Sequence, residues 1–284
     1  MTAVEQFAYG WITPTLALAL AFLGCLLGTF LASRSRASSG GSRARWLTLS
    51  AVAIGGTGTW VPHFMAMLGL DVPVGAVRYD VATTALGLGI AVIVYCLGLY
   101  VAGFGRPSPW KILPAGLFTG LGLVAVYATG PLSMRLTGRI EYEPWILMAA
   151  AAAAIVGATV TLWCAAVIRG TGAMVCAATI MAITVCSTHY AVMASVRIEP
   201  APPAEPVSGV TLFAMLVPVC VLAGVLLSAL AYSTVGFTVR QDTATEEALL
   251  RRARDMYSVA TLARAHRHRN AERDRDVAAV PSQP

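Results

Sequence analysis

Residues 81–104, VATTALGLGIAVIVYCLGLYVAGF, contain no charged side chain. A helix needs about 20 apolar residues to cross the hydrocarbon core of a bilayer. Further runs of this kind occupy residues 12–32, 46–69, 112–134, 144–168, 173–196 and 209–236. None shows the period-2 alternation of a barrel strand, so the reading is all-α: a polytopic membrane helix bundle with seven transmembrane helices. Composition agrees. The 284 residues are 57% hydrophobic and 12% charged, against roughly 25% charged in soluble domains. The start, MTAVEQFAYGWITPTL, has no basic n-region and carries Glu5. The first run is therefore expected to be a retained span rather than a cleaved signal.

The net charge of +6 resolves into a membrane pattern rather than a nucleic-acid patch. Arg34, Arg36, Arg43 and Arg45 follow the first span, Arg106 and Lys111 the third, Arg169 the fifth, and nine arginines the seventh. The alternate loops hold Arg78, Arg135, Arg139 and Arg197, mixed with Asp71, Asp80, Glu141, Glu143, Glu199 and Glu205. The positive-inside rule then predicts a multi-pass protein of the cytoplasmic membrane, N-terminus outside and C-terminus cytosolic. Two regions are expected: a membrane domain over 1–236 and a basic cytosolic tail over 237–284. The Pro-rich RIEPAPPAEPV (197–207) reads as a semi-rigid outer loop. The six cysteines all lie in apolar runs without a CxxC, and are read as small packing residues.

Spans two, four and six resemble one another near their outer ends: GTGTWVPHFMAML (56–68), GLGLVAVYATGPLSM (120–134) and ITVCSTHYAVMASV (183–196). The chain reads as three repeated helix pairs plus a seventh helix. Gly55, Gly56, Gly58, Gly116, Gly120 and Gly122 allow close helix approach.

Of four histidines, His266 and His268 lie in the Arg-rich tail, where positive charge disfavours a cation. His63 and His189 lie inside spans, where an ionisable side chain is costly and marks a candidate site. Each is followed four residues later by a methionine, Met67 and Met193, on the same helix face. Imidazole with thioether selects copper, and thioether favours Cu(I). Against this, ten methionines in so apolar a chain are mostly packing residues, and a single His–Met pair is more often helix glue. The recurrence of the pair at one depth raises the ligand reading to equal standing.

The three segments resemble the MHYT family of bacterial membrane sensor domains, with its Met-His-Tyr-Thr-like motifs near the outer ends of alternate helices. Thr188-His189-Tyr190-Ala191-Val192-Met193 follows the pattern with Thr188 in place of the first Met. Pro62-His63-Phe64-Met65-Ala66-Met67 follows it with Pro62 there. The second repeat departs most: Tyr127 stands where His is expected, and Pro131 where the second Met is expected. The resemblance covers residues 8–236. It implies a bound metal, copper first, and sensing of oxygen, carbon monoxide or nitric oxide. It also implies ligands His63, Met67, His189 and Met193, with Tyr127, Tyr190 and Met65 as outer-shell candidates. Many members carry cyclic-di-GMP domains; only about 48 residues follow the seventh span here.

In the tail, Thr243 and Glu246 have capping-box spacing. Leu249, Arg252, Met256, Val259 and Leu262 suggest a partly amphipathic helix for anionic lipid or a cytosolic signalling partner, with a topogenic, partly disordered tail as the equal alternative. No phosphate loop, nucleophile elbow or HExxH is present, so no enzyme is expected. The expected function is a copper or diatomic-gas sensor. The alternatives are an electron carrier with a haem held between His63 and His189, a transporter (disfavoured, since no span holds a mid-membrane charge), and a structural membrane protein with a decayed metal site.

Overall fold

The computed structural model describes residues 2–3, 7–70, 77–105, 107–200, 208–211, 213–233, 236 and 250–251. The chain divides into two compact units, 1–231 and 232–284. Apart from residues 250–251, which are helical, the expected tail helix lies outside the described residues, as do both tail histidines.

The first unit is a helix bundle. Its helices are α1 (Ile12–Arg36), α2 (Gly40–Ala51), a π-helical segment (Val52–Trp60), α3 (Val61–Met67), α4 (Val81–Gly103), α5 (Pro109–Ser133), α6 (Pro144–Val167) and α7 (Thr171–Ala194). A further helix, α8, covers most of Phe213–Ser233 in this unit. Six of them are long and apolar enough to cross a membrane: α1, α4, α5, α6, α7 and α8. The remaining sequence-predicted span is realised as the composite α2–π–α3 over 40–67, almost wholly buried from residue 50 to 67. Large apolar side chains such as Leu86, Ile93, Leu121 and Val217 are more than half exposed on the bundle's flanks. That exposure suits lipid, since soluble monomers rarely show apolar patches on this scale.

Glycine sets the close approaches. A methyl group at Gly24 of α1 would collide with the backbone at Thr57 and Gly58. One at Gly55 would lie 2.7 Å from the Ala91 carbonyl oxygen of α4. The π segment is thus held between α1 and α4 by backbone contact. Its wider turn has a local cause. Pro62 has no N–H for the i−4 carbonyl and its ring would strike it, while Val61 N–H reaches back five residues to Gly56 O.

The two ends of the bundle differ. At the arginine end, the Arg36 guanidinium donates to the carbonyls of Ala165 and Ile168, and Arg43 donates to Gly103 O. These satisfy orphan carbonyls at the ends of α6 and α4. At the histidine end, short strands lie over the helices. β1 (Thr2–Ala3), β5 (Val196–Pro200) and β4 (Gly138–Tyr142) form a sheet with β5 in the middle. β2 (Arg78–Tyr79) pairs with β3 (Met134–Arg135), and Tyr79 bridges to Val210. The expected loop beginning at residue 197 therefore starts as a strand: Ile198 pairs with both Ile140 and Thr2, and Arg139 stands opposite Glu199. The alternation in Val196-Arg197-Ile198-Glu199, apolar toward the bundle and charged away, is a half-buried strand pattern that the prolines obscured.

Candidate functional site

The site forms where α3, α5 and α7 meet beneath the strands. His63 comes from the first turn of α3, behind Pro62; His189 comes from the last turns of α7. Both are buried, at 4% and 2% exposure, so neither faces lipid. Their Nδ1 atoms stand 2.7 Å apart and their ring centroids 4.8 Å apart at 70°. At that distance one Nδ1–H donates to the other ring's lone pair. The histidines of the first and third repeats are thus in direct contact, across 126 residues of chain.

The second repeat supplies the wall. The Tyr127 ring lies 5.3 Å from His63 and 5.9 Å from His189. Its hydroxyl donates to Val185 O at 3.2 Å, one turn before His189 on α7. Tyr190 stacks edge-on to His189 at 5.0 Å and is covered by Phe7, 5.5 Å away. Two buried polar atoms here lack a hydrogen-bond partner, His189 Nε2 and the Tyr190 hydroxyl. Native interiors rarely leave such groups unsatisfied without a reason.

The methionines divide between two small cavities, each of about 10 Å³. Met67 and His63 share one with Trp60, Thr129 and Gly130. Met193 lines the other with Leu70, Pro131 and Met134. Gly130 decides the first: a Cβ there would lie 2.6 Å from Met67 Sδ and 2.8 Å from His63 Nε2. The absent side chain makes the room in which the thioether and the second imidazole nitrogen face α5. Met65 is buried, but two residues from His63 it stands roughly 200° around the helix from it. Trp60 braces the site, donating from Nε1 to Thr84 O at 3.2 Å and stacking on Phe64.

Sequence reasoning missed Gly130 as a site residue. Its signal was a glycine, between Thr129 and Pro131, at the depth of the two histidines on a neighbouring helix. It also missed Tyr79, which lines the Met67 cavity from β2 and whose burial pushes the phenol up to about 12. Below it, Asp80 caps α4. The Thr83 backbone N–H and hydroxyl, and the Arg135 guanidinium, hold its carboxyl below the ordinary range.

Among the described residues, no three His, Cys, Asp or Glu side chains stand together as a metal-holding group. The donors gathered here are two imidazoles and thioether sulfur, with no carboxylate. They fit a soft, singly charged ion better than a hard divalent one.

Comparison with known proteins bears on this arrangement. The family model MHYT, described as a bacterial signalling protein N-terminal repeat, matches residues 56–116. The cyclic di-GMP phosphodiesterase NbdA of Pseudomonas aeruginosa is 35% identical over 161 residues, 56% of this chain and 20% of the relative. The bifunctional diguanylate cyclase/cyclic di-GMP phosphodiesterase MucR of the same organism is 28% identical over 196 residues, 67% of this chain and 28% of the relative. The chain thus spans between a fifth and three tenths of the length of these relatives. No solved structure matches it. Residues 56–116, which hold His63 and the second half of the π segment, match the MHYT repeat of bacterial signalling proteins, and the two Pseudomonas aeruginosa proteins are similar to this chain over more than half its length.

Proposed function

We propose that the chain is a non-catalytic membrane sensor module that holds copper through His63 and His189, with Met67 and Met193 supplying sulfur. The reading rests on one observation: two buried imidazoles from separate repeats meet at 2.7 Å, and His189 Nε2 has no partner. No described carboxylate joins the group. Desolvating a charge in such surroundings is costly, and the cost grows with charge, so a monovalent ion is favoured. Thioether donors point the same way, to Cu(I). When bound, copper supplies an open-shell or electron-rich centre for a diatomic gas. The protein's own part is to keep the imidazoles neutral and oriented, to line the cavities with Trp60, Tyr127 and Tyr190, and to exclude bulk water beneath the strands. In this reading the histidine end faces outward and the tail addresses a cytosolic partner.

A haem between the two histidines is disfavoured. Ligation from opposite faces needs the nitrogens about 4 Å apart, two bonds of ~2 Å each, with a macrocycle between them. The rings instead touch, and the adjoining cavities are about 10 Å³ each.

The test is copper content. Wild type and the His63→Ala/His189→Ala double variant are purified, checked for folding, and loaded with copper under reducing and oxidising conditions. Stoichiometric copper in the wild type, lost in the variant, is expected, with stronger retention under reducing conditions. Equal copper in both, or none in either, overturns the proposal in favour of a decayed site.

A further inference from the structure

A larger cavity lies at the opposite end of the bundle and is unrelated to the histidines. It has a volume of about 300 Å³ and is a wedge between the start of α5 and the end of α6. Its cause is in the sequence. A methyl group at Gly116 or Gly120 would strike Thr159 or Ile155, so the two helices touch backbone to side chain there. Toward the arginine end they part. Ile112 and Leu113 face Val160, Trp163 and Val167 across the gap. Ile112 is buried as the floor, while Leu113 and Trp163 are about half exposed at the rim. The Thr159 hydroxyl in the lining already donates to Ile155 O. The wedge is therefore apolar, open to the side of the bundle, and as large as a small ligand pocket.

Charge marks what sits at its mouth. Among the described residues, every carboxylate side chain (Asp80, Glu141, Glu143 and Glu199) belongs to the histidine end. The wedge's end carries Arg34, Arg36, Arg43, Arg45, Lys111 and Arg169. Arg36 and Arg43 are turned onto helix-end carbonyls. Lys111, in the first turn of α5, is exposed and donates to Phe104 O at 3.4 Å, and Arg169, two residues beyond α6, is exposed; both follow closely in the chain on residues that line the wedge. Trp110, 87% exposed beside Lys111, sits as an interfacial anchor does.

We propose that this wedge binds an anionic phospholipid of the surrounding bilayer, one acyl chain lying against Ile112, Val160 and Trp163 and the phosphate meeting Lys111 and Arg169. Basic pockets between transmembrane helices recognise acidic headgroups in this way. The chain-shaped apolar gap supplies residence and the two cations supply selectivity. The site is independent of copper at the other end.

The experiment uses the full chain in nanodiscs containing a small fraction of brominated phosphatidylglycerol or brominated phosphatidylcholine. Bromine quenches tryptophan on contact, and the Trp163 share is the difference between wild type and Trp163→Phe. We expect phosphatidylglycerol to quench Trp163 at about one fifth of the concentration phosphatidylcholine needs, or less, since each interfacial cation contributes roughly fivefold. The Lys111→Gln/Arg169→Gln variant, altered only on the exposed surface, is expected to bring the two lipids level. Equal quenching by both in wild type would make the wedge ordinary lipid-facing surface. Absence of Trp163 quenching by either would mean that protein fills it. A preference that survives the double charge variant would overturn the headgroup assignment.

Discussion

His63 and His189 share a hydrogen bond between like atoms, Nδ1 to Nδ1 at 2.7 Å, so the two rings hold complementary tautomers. Replacing either ring alone strands the other in a buried place. His63→Phe or His189→Phe is expected to cost about 1–3 kcal/mol, the penalty of a buried unsatisfied group. The double Phe variant is expected to be less destabilised than the two singles combined, because both polar partners go together. Thermal unfolding in detergent checks this, and strictly additive losses would count against the shared bond.

Tyr127→Phe separates a wall from a ligand. Its hydroxyl bonds to Val185 O rather than to an imidazole. We expect a loss of about 0.5–1.5 kcal/mol and unchanged copper content. A fall in bound copper matching the histidine variants would make Tyr127 a ligand.

Gly130→Ala places a methyl group 2.6 Å from Met67 Sδ and 2.8 Å from His63 Nε2. Overpacking of this kind costs about 1–3 kcal/mol. Copper affinity is expected to drop at least tenfold while Tyr127→Phe leaves it alone. Metal analysis across a chelator titration reads the difference.

Asp80 ties the start of α4 to β3 through Thr83 and Arg135. Its carboxyl titrates below the ordinary 3.8, chiefly through the Thr83 N–H. A depressed carboxyl contributes stability that is full above its unfolded value and is lost as pH falls through the folded one. Hydrogen exchange around residues 78–84 is therefore expected to quicken below about pH 4. Asp80→Asn should exchange faster at neutral pH and respond little to acid.

Much of this arrangement was legible because hydropathy and ligand type are local properties. Uncharged runs such as 81–104 gave the helices directly, and the i, i+4 pairs marked His63 and His189. What was hidden depends on neighbours in space. The π segment is written in Gly55, Gly56, Gly58 and Pro62, but the backbone contacts that hold it come from α1 and α4. The strands are too short for periodicity to register: β2 and β3 have two residues each, and β5 ends on a proline. Gly130 matters only because of what stands opposite it. Met67 and Met193 have the same spacing from their histidines, yet they line different cavities, one walled by Gly130 and Thr129, the other by Pro131 and Met134.

The central strand of the larger sheet is the last of its three to be synthesised. β5 lies between β1, from the first residues of the chain, and β4, which precedes α6. Until the ribosome has passed residue 200, Thr2–Ala3 and Gly138–Tyr142 have no partner in that sheet, and His63 waits for a ring borne on the helix just before β5. Closure of the roof is therefore a late event in biogenesis. It requires six crossings already in place, and the earliest segment must be retrieved across the whole assembled bundle. An insertion intermediate arrested after α6 should expose both waiting strands, and with them the interior of the histidine end, to the compartment on that side of the membrane.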